Sequence, residues 1–275
     1  MKLAMMSYTM SRKVKPEDFD MVGMCKLARE LDLDGVDMVS TYGRDPREIR
    51  RMLDDHGLKT VCHTISADLN QADAAGRSAG VDAVKAGLES ALLLGTDKIM
   101  IVTPGRAGTQ REVSRRRFMA GLQEVMPLAE KSRITVTIEN FPGADSPFVI
   151  SGDVLEAICA VPGLKLTYDN GNVMTGGEDP AESFRKCAAH AVHVHFKDWE
   201  VVAAPEGMPG VDGRRYRGAL IGEGIMDHQS CLVAMKQAGY AGYIDIEYEG
   251  DRYPPAEATR RAVAYLRRLM EETAR

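Results

Sequence analysis

Thr135-Val-Thr-Ile-Glu139 is the stretch of sequence that decides the fold. Successive side chains of a β-strand point to opposite faces, so this run places Val136 and Ile138 on one face and ends the other face with Glu139. Three later runs alternate in the same way and also end in a residue type that binds metal ions: Lys165-Leu-Thr-Tyr-Asp169, Val192-His-Val-His195 and Tyr243-Ile-Asp-Ile-Glu247. Strands that are apolar outside and polar inside predict a barrel that helices surround.

Strand and helix patterns alternate eight times along the chain. The predicted strands are Leu3–Tyr8, Gly35–Val39, Thr60–Ile65, Lys98–Thr103, Thr135–Glu139, Leu164–Asp169, Val192–Lys197 and Tyr243–Glu247. No long linker or composition shift interrupts them, so residues 1–275 predict one domain, a single (β/α)8 TIM barrel. A doubly wound sheet is the alternative, but no Gly-x-Gly-x-x-Gly motif follows the first strand.

The helical patterns lie between these strands. The first begins at Pro16 and runs to Leu31, and the others cover residues 45–56, 81–94, 110–131, 152–160, 179–189, 228–238 and 255–273. Asp227 is the predicted N-cap of the helix at 228–238, and Gly239 is its predicted C-terminal stop. Two connections are predicted as long loops, Ser66–Gly80 and Trp199–Gly224. In a barrel both loops would lie on the face that carries active sites.

Composition excludes several classes of protein. The net charge of -5 comes without a basic patch, which argues against a nucleic-acid partner. The five cysteines are scattered and contain no Cys-x-x-Cys pair, as expected of reduced thiols in the cytosol. No run reaches the roughly 18 apolar residues of a membrane span. We therefore expect a cytoplasmic protein with a small-molecule partner.

The four strand-end residues predict a metal site. Glu139, Asp169 and Glu247 offer hard oxygen ligands, and His195 offers an imidazole nitrogen. This set favours Mn²⁺, with Mg²⁺ and Co²⁺ also suited and Zn²⁺ less so. Taken singly, each residue fits a separate ion pair equally well. Together, three carboxylates in one cavity would repel one another unless a cation joined them.

Two glutamates beside one cation indicate a mechanism. Such a site acidifies the C–H bond between a carbonyl and an adjacent hydroxyl of a sugar and stabilises the enediolate. Glu139 and Glu247 are the predicted acid/base pair: one takes the proton, and the other returns it to the neighbouring carbon or to the opposite face. Asp169 would be a ligand only.

Other side chains near the strand ends are candidates for substrate contact. His63, Lys197, Trp199, Arg217 and Glu223 belong to this group. Each also has a structural interpretation, as an interior imidazole, a partner in an ion pair or an anchor for a loop. His193 lies one layer below His195, either beside the metal ligands or as an interior histidine, and Asp245 is expected to be structural.

Several of these runs resemble a known family. The runs are Ile138-Glu139-Asn140, Tyr168-Asp169-Asn170-Gly171-Asn172, His193-Val-His195-Phe-Lys197-Asp198, Ile221-Gly-Glu223-Gly224 and Ile246-Glu247-Tyr248. The whole chain is similar to the xylose isomerase-like TIM barrels of the sugar phosphate isomerase/epimerase superfamily. The resemblance implies that Glu139, Asp169, His195 and Glu247 bind the metal, and that the protein is a sugar or keto-polyol isomerase or epimerase. Self-association as a homodimer or tetramer is also implied.

One position departs from the family pattern. Ketose epimerases of the family usually carry a histidine three residues after the ligand aspartate, where this chain has Asn172. Asparagine still hydrogen-bonds a hydroxyl but does not shuttle a proton, which argues against a free-ketose 3-epimerase. The alternatives are a lyase that cleaves 3-keto-glycosides or C-glycosides or dehydrates inososes, a nuclease, which the charge disfavours, and a noncatalytic sugar-binding barrel.

Overall fold

Eight parallel strands close into a barrel. The computed structural model describes residues 1–274. The barrel strands are β1 (Lys2–Met6), β2 (Gly35–Val39), β3 (Lys59–Ser66), β4 (Lys98–Val102), β5 (Thr135–Glu139), β6 (Lys165–Asp169), β7 (Ala191–Phe196) and β11 (Tyr243–Ile246). Three shorter strands lie outside the barrel: β8 (Asp198–Val201), β9 (Met208–Pro209) and β10 (Arg215–Ala219). The barrel runs in the order β1-β11-β7-β6-β5-β4-β3-β2. The prediction of a single (β/α)8 TIM barrel is confirmed.

Helices connect the barrel strands. They are α1 (Ser7–Ser11), α2 (Met21–Glu30), α3 (Pro46–Asp55), α4 (Ala74–Leu94), α5 (Arg111–Ser132), α6 (Ser151–Ala160), α7 (Pro180–Cys187), α8 (His228–Gln237) and α9 (Pro255–Ala274). Asp227 accepts a hydrogen bond from the Ser230 backbone, so the predicted N-cap of α8 is confirmed. Over the described residues, no helix combines the length and apolar character that crossing a membrane requires.

The strand register separates an apolar outer layer from a polar interior. Ile138 pairs with Leu166, and both belong to the main hydrophobic core. The next pair, Glu139 with Thr167, lies on the opposite face. Because parallel strands all end at the same rim, the last inward-facing residues of several strands meet at the carboxyl-terminal mouth of the barrel.

The predicted loop Ser66–Gly80 is shorter than expected. Helix α4 begins at Ala74, where the side chain of Asp73 accepts a hydrogen bond from the Gly76 backbone. The first turns of this helix are rich in alanine, glycine and serine, so they lack the apolar periodicity that reveals a helix in a sequence. They pack closely on the preceding segment, since a Cβ at Gly80 would lie 2.3 Å from the carbonyl oxygen of Asp68.

The predicted loop Trp199–Gly224 contains regular structure. Strands β8, β10 and β9 form a small antiparallel sheet in that order. Trp199, Tyr216 and Met226 pack together as its hydrophobic core. Asp198 fixes the C-terminal end of this segment, because its carboxylate accepts hydrogen bonds at 2.9–3.1 Å from the backbone N–H groups of Gly222, Gly224 and Met226.

Candidate metal centre

Four potential ligands meet at the carboxyl-terminal mouth of the barrel. Glu139, Asp169 and His195 lie on β5, β6 and β7, and Glu247 directly follows β11. One ligand atom from each residue lies within 4.8 Å of those of the other three, and all four side chains are buried. His195 Nδ1 is 2.7 Å from Glu139 Oε1 and 3.7 Å from Glu247 Oε2. The structure thus brings together the four residues that the sequence pattern singled out.

Asparagine side chains hold this part of the rim in place. The Asn140 side chain bridges β5 and β6: its Nδ2 donates to the Asp169 carbonyl at 2.7 Å, and its Oδ1 accepts from the Asp169 N–H at 2.8 Å. The Asn172 N–H donates to Asp169 Oδ1 at 2.6 Å. The Asn170 side chain accepts from the Lys197 N–H at 2.9 Å. These amides fix the backbone at Asp169 and at Lys197 and orient the Asp169 carboxylate.

The buried ammonium group of Lys197 lies among the carboxylates. Its Nζ is 3.0 Å from Glu247 Oε2, 3.6 Å from Asp169 Oδ2 and 3.4 Å from Glu249 Oε2. Burial disfavours the charged lysine, but the carboxylates of Asp169, Glu247 and Glu249 outweigh it and raise the pKa of Lys197 well above its usual value. Glu249 therefore belongs to the site, although it was not among the sequence-based candidates.

The remaining negative charge fits a divalent cation. Within the described residues, Asp169 Oδ2 is buried and has no hydrogen-bond partner. Burial raises the pKa of Asp169 to about 7 and that of Glu247 to about 8; Lys197 opposes both shifts, and the neighbouring carboxylates add to them. One ammonium group thus compensates the carboxylates incompletely. Three carboxylates and an imidazole are a donor set that suits Mn²⁺, Mg²⁺ or Co²⁺.

A second buried polar group lies deeper in the barrel. It comprises Asp37, His193, His195 and Asp245, whose ligand atoms also lie within 4.8 Å of one another. Asp37 Oδ2 is 3.2 Å from His195 Nε2, and His193 Nε2 is 2.6 Å from Asp245 Oδ2. Burial alone would raise the pKa of Asp37, but hydrogen bonds from the two histidines hold it below its usual range.

Asp37 is a residue of this group that was not among the sequence-based candidates, although the sequence contains a signal for it. Asp37 alternates with Val36 and Met38 on β2, and both of these belong to the outer hydrophobic core. It is therefore the one charged side chain that this strand turns toward the barrel axis. Its partner His195 lies 158 positions away in the sequence, so the contact depends on closure of the barrel.

Besides Lys197, two predicted substrate contacts lie beside the metal centre. Asn172 is fully buried, and within residues 1–274 neither polar atom of its side chain has a partner. Trp199 packs against Tyr216, and its ring centroid is 5.6 Å from Lys197 Nζ. Gly171 makes this packing feasible, since a Cβ there would lie 2.5 Å from the Lys197 side chain. Substrate binding by Asn172, Lys197 and Trp199 stays a prediction.

The structure does not bring His63 to the metal centre. Its Nδ1 is 2.7 Å from the carbonyl oxygen of Met38, its neighbour in the strand register. Thr64, the next residue, faces the barrel interior and donates a hydrogen bond to Asp37. Because side chains alternate along β3, His63 points to the other face, toward the helices. Contact of His63 with substrate stays a prediction.

Arg217 and Glu223 have local partners outside the ligand set. The Arg217 guanidinium is half-exposed and donates to Glu200 at 2.7 Å and to Glu206 at 2.6 Å. The Glu223 carboxylate accepts hydrogen bonds at 3.1 Å from Arg252 and from the Tyr253 hydroxyl. The structure brings neither residue to the metal centre, and their contact with substrate stays a prediction.

Several known proteins are similar to this chain in sequence or in fold. Over 154 residues the chain is 29% identical to L-ribulose-5-phosphate 3-epimerase UlaE of Escherichia coli (strain K12), a segment that is 54% of this chain and 48% of that protein. The chain spans about half the length of the curated relatives it matches. Two solved structures cover 99% of the chain with TM-scores of 0.80: L-ribulose 3-epimerase (15% identical, 95% of that chain) and the IolI protein with a bound zinc atom (16%, 99%).

The likeness to these solved structures shows the fold alone, since their identities are low. The family described as xylose isomerase-like TIM barrel matches residues 25–269, which is most of the chain and extends from α2 into α9. That range includes all four residues of the candidate metal centre. The chain therefore belongs to the xylose isomerase-like TIM barrel family.

Proposed function

We propose that this protein is a divalent-metal-dependent isomerase or epimerase of a sugar or keto-polyol. One observation carries the proposal: Glu139, Asp169, His195 and Glu247 converge at the mouth of the barrel with ligand atoms within 4.8 Å of one another. A noncatalytic sugar-binding barrel would not need a complete ligand set. A nuclease is disfavoured because the net charge is -5.

A cation held by these four residues supplies Lewis acidity toward a carbonyl and an adjacent hydroxyl of the substrate. Mn²⁺ is the metal we propose, with Mg²⁺, Co²⁺ and Zn²⁺ as alternatives. Zn²⁺ is included because the IolI structure contains it. The preference for Mn²⁺ follows from the three carboxylate ligands, since structural zinc sites use mainly sulfur and nitrogen.

Glu139 and Glu247 are the proposed acid/base pair. They approach the same atom, His195 Nδ1, from strands that are separated by β6 and β7 in the barrel. One carboxylate takes the proton from the carbon next to the carbonyl, and the other returns a proton. Return to the neighbouring carbon gives an isomer, and return to the opposite face of the same carbon gives an epimer.

Lys197 and Asp169 have separate roles in this proposal. The Lys197 ammonium is buried within 3.6 Å of both Asp169 and Glu247, so a substrate oxygen at the centre would lie near a fixed positive charge. That charge stabilises negative charge as it develops on the oxygen. Asp169 is held by the side-chain amide of Asn140 and by the backbone N–H of Asn172, and it serves as a ligand only.

The epimerase relatives support the class of reaction, and Asn172 narrows the range of candidate substrates. An asparagine here argues against the free-ketose 3-epimerases, which carry a histidine at this position. A phosphorylated pentulose, as the name of the UlaE relative indicates, and a keto-polyol are both compatible with the centre. A cytoplasmic location, self-association and one domain over residues 1–275 stay predictions.

A lyase is the second candidate, because it begins with the same proton abstraction. If a leaving group is attached next to the acidified carbon, loss of that group replaces return of the proton. The two reactions differ in their products, so a single experiment separates them.

The test is proton NMR in D2O with Mn²⁺- or Mg²⁺-loaded protein. Ketoses, ketose phosphates, inososes and 3-keto-glycosides are incubated with the protein, and the small molecules are separated from a paramagnetic metal before acquisition. We expect deuterium at one carbon together with a new epimer or aldose. Deuterium uptake with loss of water or an aglycone would assign the protein as a lyase. Absence of exchange across the panel would contradict both assignments for these substrates.

Chelation is the matched control. Treatment with EDTA should abolish exchange, and addition of Mn²⁺ or Co²⁺ should restore it, because the carboxylates require the cation for this chemistry. Full exchange by protein that EDTA and dialysis have stripped of metal would exclude the metal-dependent mechanism.

A further inference from the structure

The imidazole of His195 lies between two carboxylates on opposite sides of the ring. Nδ1 faces the candidate metal centre, 2.7 Å from Glu139 Oε1. Nε2 faces the interior of the barrel, 3.2 Å from Asp37 Oδ2. Asp37 and His195 are both fully buried, so no solvent competes for this contact.

A histidine that binds a cation needs one nitrogen without a proton. In the neutral ring one nitrogen carries the proton and the other has a free lone pair. An ionised carboxylate only accepts hydrogen bonds, so Asp37 retains the proton on Nε2. The lone pair of Nδ1 is then directed to the metal centre. The contact also fixes the rotation of the ring about its Cβ–Cγ bond.

Asp37 is itself held in place from two strands. The Thr64 hydroxyl on β3 lies 3.0 Å from Oδ1 and 3.1 Å from Oδ2 of Asp37 and donates its proton to this carboxylate. His193 Nε2 is 3.4 Å from Asp37 Oδ2 and 2.6 Å from Asp245 Oδ2. Asp245 is thus directed to His193, and its distance to His195 Nε2 is longer, at 3.9 Å. Within this buried group, Asp37 is the carboxylate that contacts His195 most closely.

We propose that Asp37 is a positioning residue that holds His195 in the orientation and tautomer required for cation binding, with Thr64 as its support. The proposal rests on the metal-dependent function proposed above. It assigns no second cation to the group formed by Asp37, His193, His195 and Asp245. In this group His193 Nε2 lies 2.6 Å from Asp245 Oδ2 and His195 Nε2 lies 3.2 Å from Asp37 Oδ2, so each carboxylate faces a histidine and we expect a single cation per chain.

The experiment measures cation binding to purified full-length protein. Isothermal titration with Mn²⁺ and Zn²⁺ is carried out on the wild type and on Asp37→Leu, Asp37→Asn and Thr64→Val. Loss of a carboxylate that orients a ligating histidine weakens metal binding roughly 10–100-fold, and we expect this for Asp37→Leu. Asp37→Asn keeps an oxygen acceptor and Thr64→Val keeps the carboxylate, so both should lose less. Asp34→Asn, an exposed aspartate near the start of β2, is the control and should bind as the wild type does.

A spectroscopic measurement separates positioning from general damage to the fold. In Zn²⁺-loaded protein with ¹⁵N-labelled histidine, the Nε2 proton of His195 should resonate downfield and exchange slowly with water. In Asp37→Leu this signal should move upfield and exchange faster. If Asp37→Leu fails to fold, the same affinities and signals are measured on Asp37→Asn and Thr64→Val, for which we expect smaller changes.

The outcomes distinguish this inference from the proposed function. A wild type that binds one cation, with weaker binding and an altered His195 signal in the variants, supports the inference. Unchanged affinity and signal in the variants would overturn it and leave the metal-dependent function standing. Two cations per chain would also overturn it, because the deeper group would then be a metal site of its own. A wild type without cation binding would overturn the inference and the metal dependence together.

Discussion

The ammonium nitrogen of Lys197 lies 3.0 Å from the carboxylate oxygen Oε2 of Glu247, in the middle of the candidate metal centre. Both side chains are buried, and the same nitrogen is within 3.6 Å of Asp169. A cation at this centre and the lysine would therefore interact with the same oxygens. Glu249, 3.4 Å from the ammonium, offers the lysine a partner that is not among the four ligands.

This arrangement predicts opposite effects of Lys197→Met on stability and on cation binding. Without metal, the substitution leaves buried carboxylates without their countercharge, which typically costs about 3–5 kcal/mol. The metal-free variant should therefore melt several degrees below the wild type. Cation affinity should stay equal or rise, because the competing charge is gone, while turnover falls with the loss of the positive charge beside the substrate oxygen.

The measurements are melting temperatures with and without Mn²⁺ and a calorimetric titration with Mn²⁺. Lys85→Met is the matched control, because Lys85 is half-exposed and pairs with Asp82 on the surface of α4. A metal-free Lys197→Met protein that melts with the wild type would show that the ammonium does not compensate the carboxylates.

The metal-free protein should lose stability as the pH rises from about 7 to about 8. In the unfolded chain, aspartate and glutamate release their protons near pH 4. In the folded protein the pKa of Asp169 is raised to about 7 and that of Glu247 to about 8, so the folded state binds more protons between pH 4 and pH 8. Stability then falls with increasing pH. The pKa of His195 is also raised, and its effect has the same sign.

Thermal unfolding at the two pH values, with EDTA or with Mn²⁺, tests this sign. His63 and His228 have lowered pKa values and oppose the trend only below their ordinary pKa of about 6.5, which lies outside the chosen interval. Saturating Mn²⁺ should raise the melting temperature more at the higher pH, because fewer ligand protons must be released. A stability without metal that rises across this interval would contradict the charge arrangement.

Much of the site could be predicted from the sequence because it depends on short-range periodicity. Alternation along Thr135–Glu139 assigns the final residue to the barrel interior, and the same holds for the strands that end at Asp169 and His195. The N-cap at Asp227 is likewise a local signal. For these features, tertiary structure confirms what the strand and helix periods already require.

Contacts across the barrel could not be predicted in this way. The pairing of Asp37 with His195 joins β2 to β7, which are not adjacent strands, so only closure of the barrel brings the two residues together. The orientation of His63 was difficult to predict for another reason. Residues 60–64 of β3 are buried on both faces of the strand. Their sequence, Thr-Val-Cys-His-Thr, therefore shows no strict alternation of polar and apolar residues from which the inward face could be chosen.

Asn172 should affect substrate affinity without affecting the metal. Its buried side chain has no partner in the described part of the chain, whereas its backbone N–H holds Asp169. Asn172→Ala keeps that N–H and removes the side-chain amide. One lost hydrogen bond of about 0.5–1.5 kcal/mol corresponds to a rise in KM of roughly 2- to 13-fold, with Mn²⁺ affinity unchanged. Equal loss of Mn²⁺ affinity would instead assign Asn172 a role in holding the ligand.

The substitution Asn172→His examines the substrate class. It restores the imidazole that ketose epimerases of the family carry at this position, and we expect higher epimerase turnover on free ketoses. Deuterium uptake by a free ketose in D2O is the measurement, with the wild type and Asn172→Ala assayed in parallel. Identical uptake by all three proteins would mean that the side chain at 172 does not contact the substrate.

Glu247→Gln should keep the fold and abolish turnover. The amide has nearly the same shape as the carboxylate but cannot accept or return a proton, and loss of a general acid or base typically reduces the rate about 10²–10⁴-fold. Burial and repulsion from neighbouring carboxylates raise the pKa of Glu247, and the neutral amide removes both costs, so the metal-free variant should melt no lower than the wild type. Glu257→Gln, at an exposed pair with Arg261 on α9, is the control. Exchange of substrate protons with D2O is followed at saturating Mn²⁺, so that weaker cation binding does not account for the loss. Substantial exchange under that condition would remove Glu247 from the acid/base pair and leave it as a ligand.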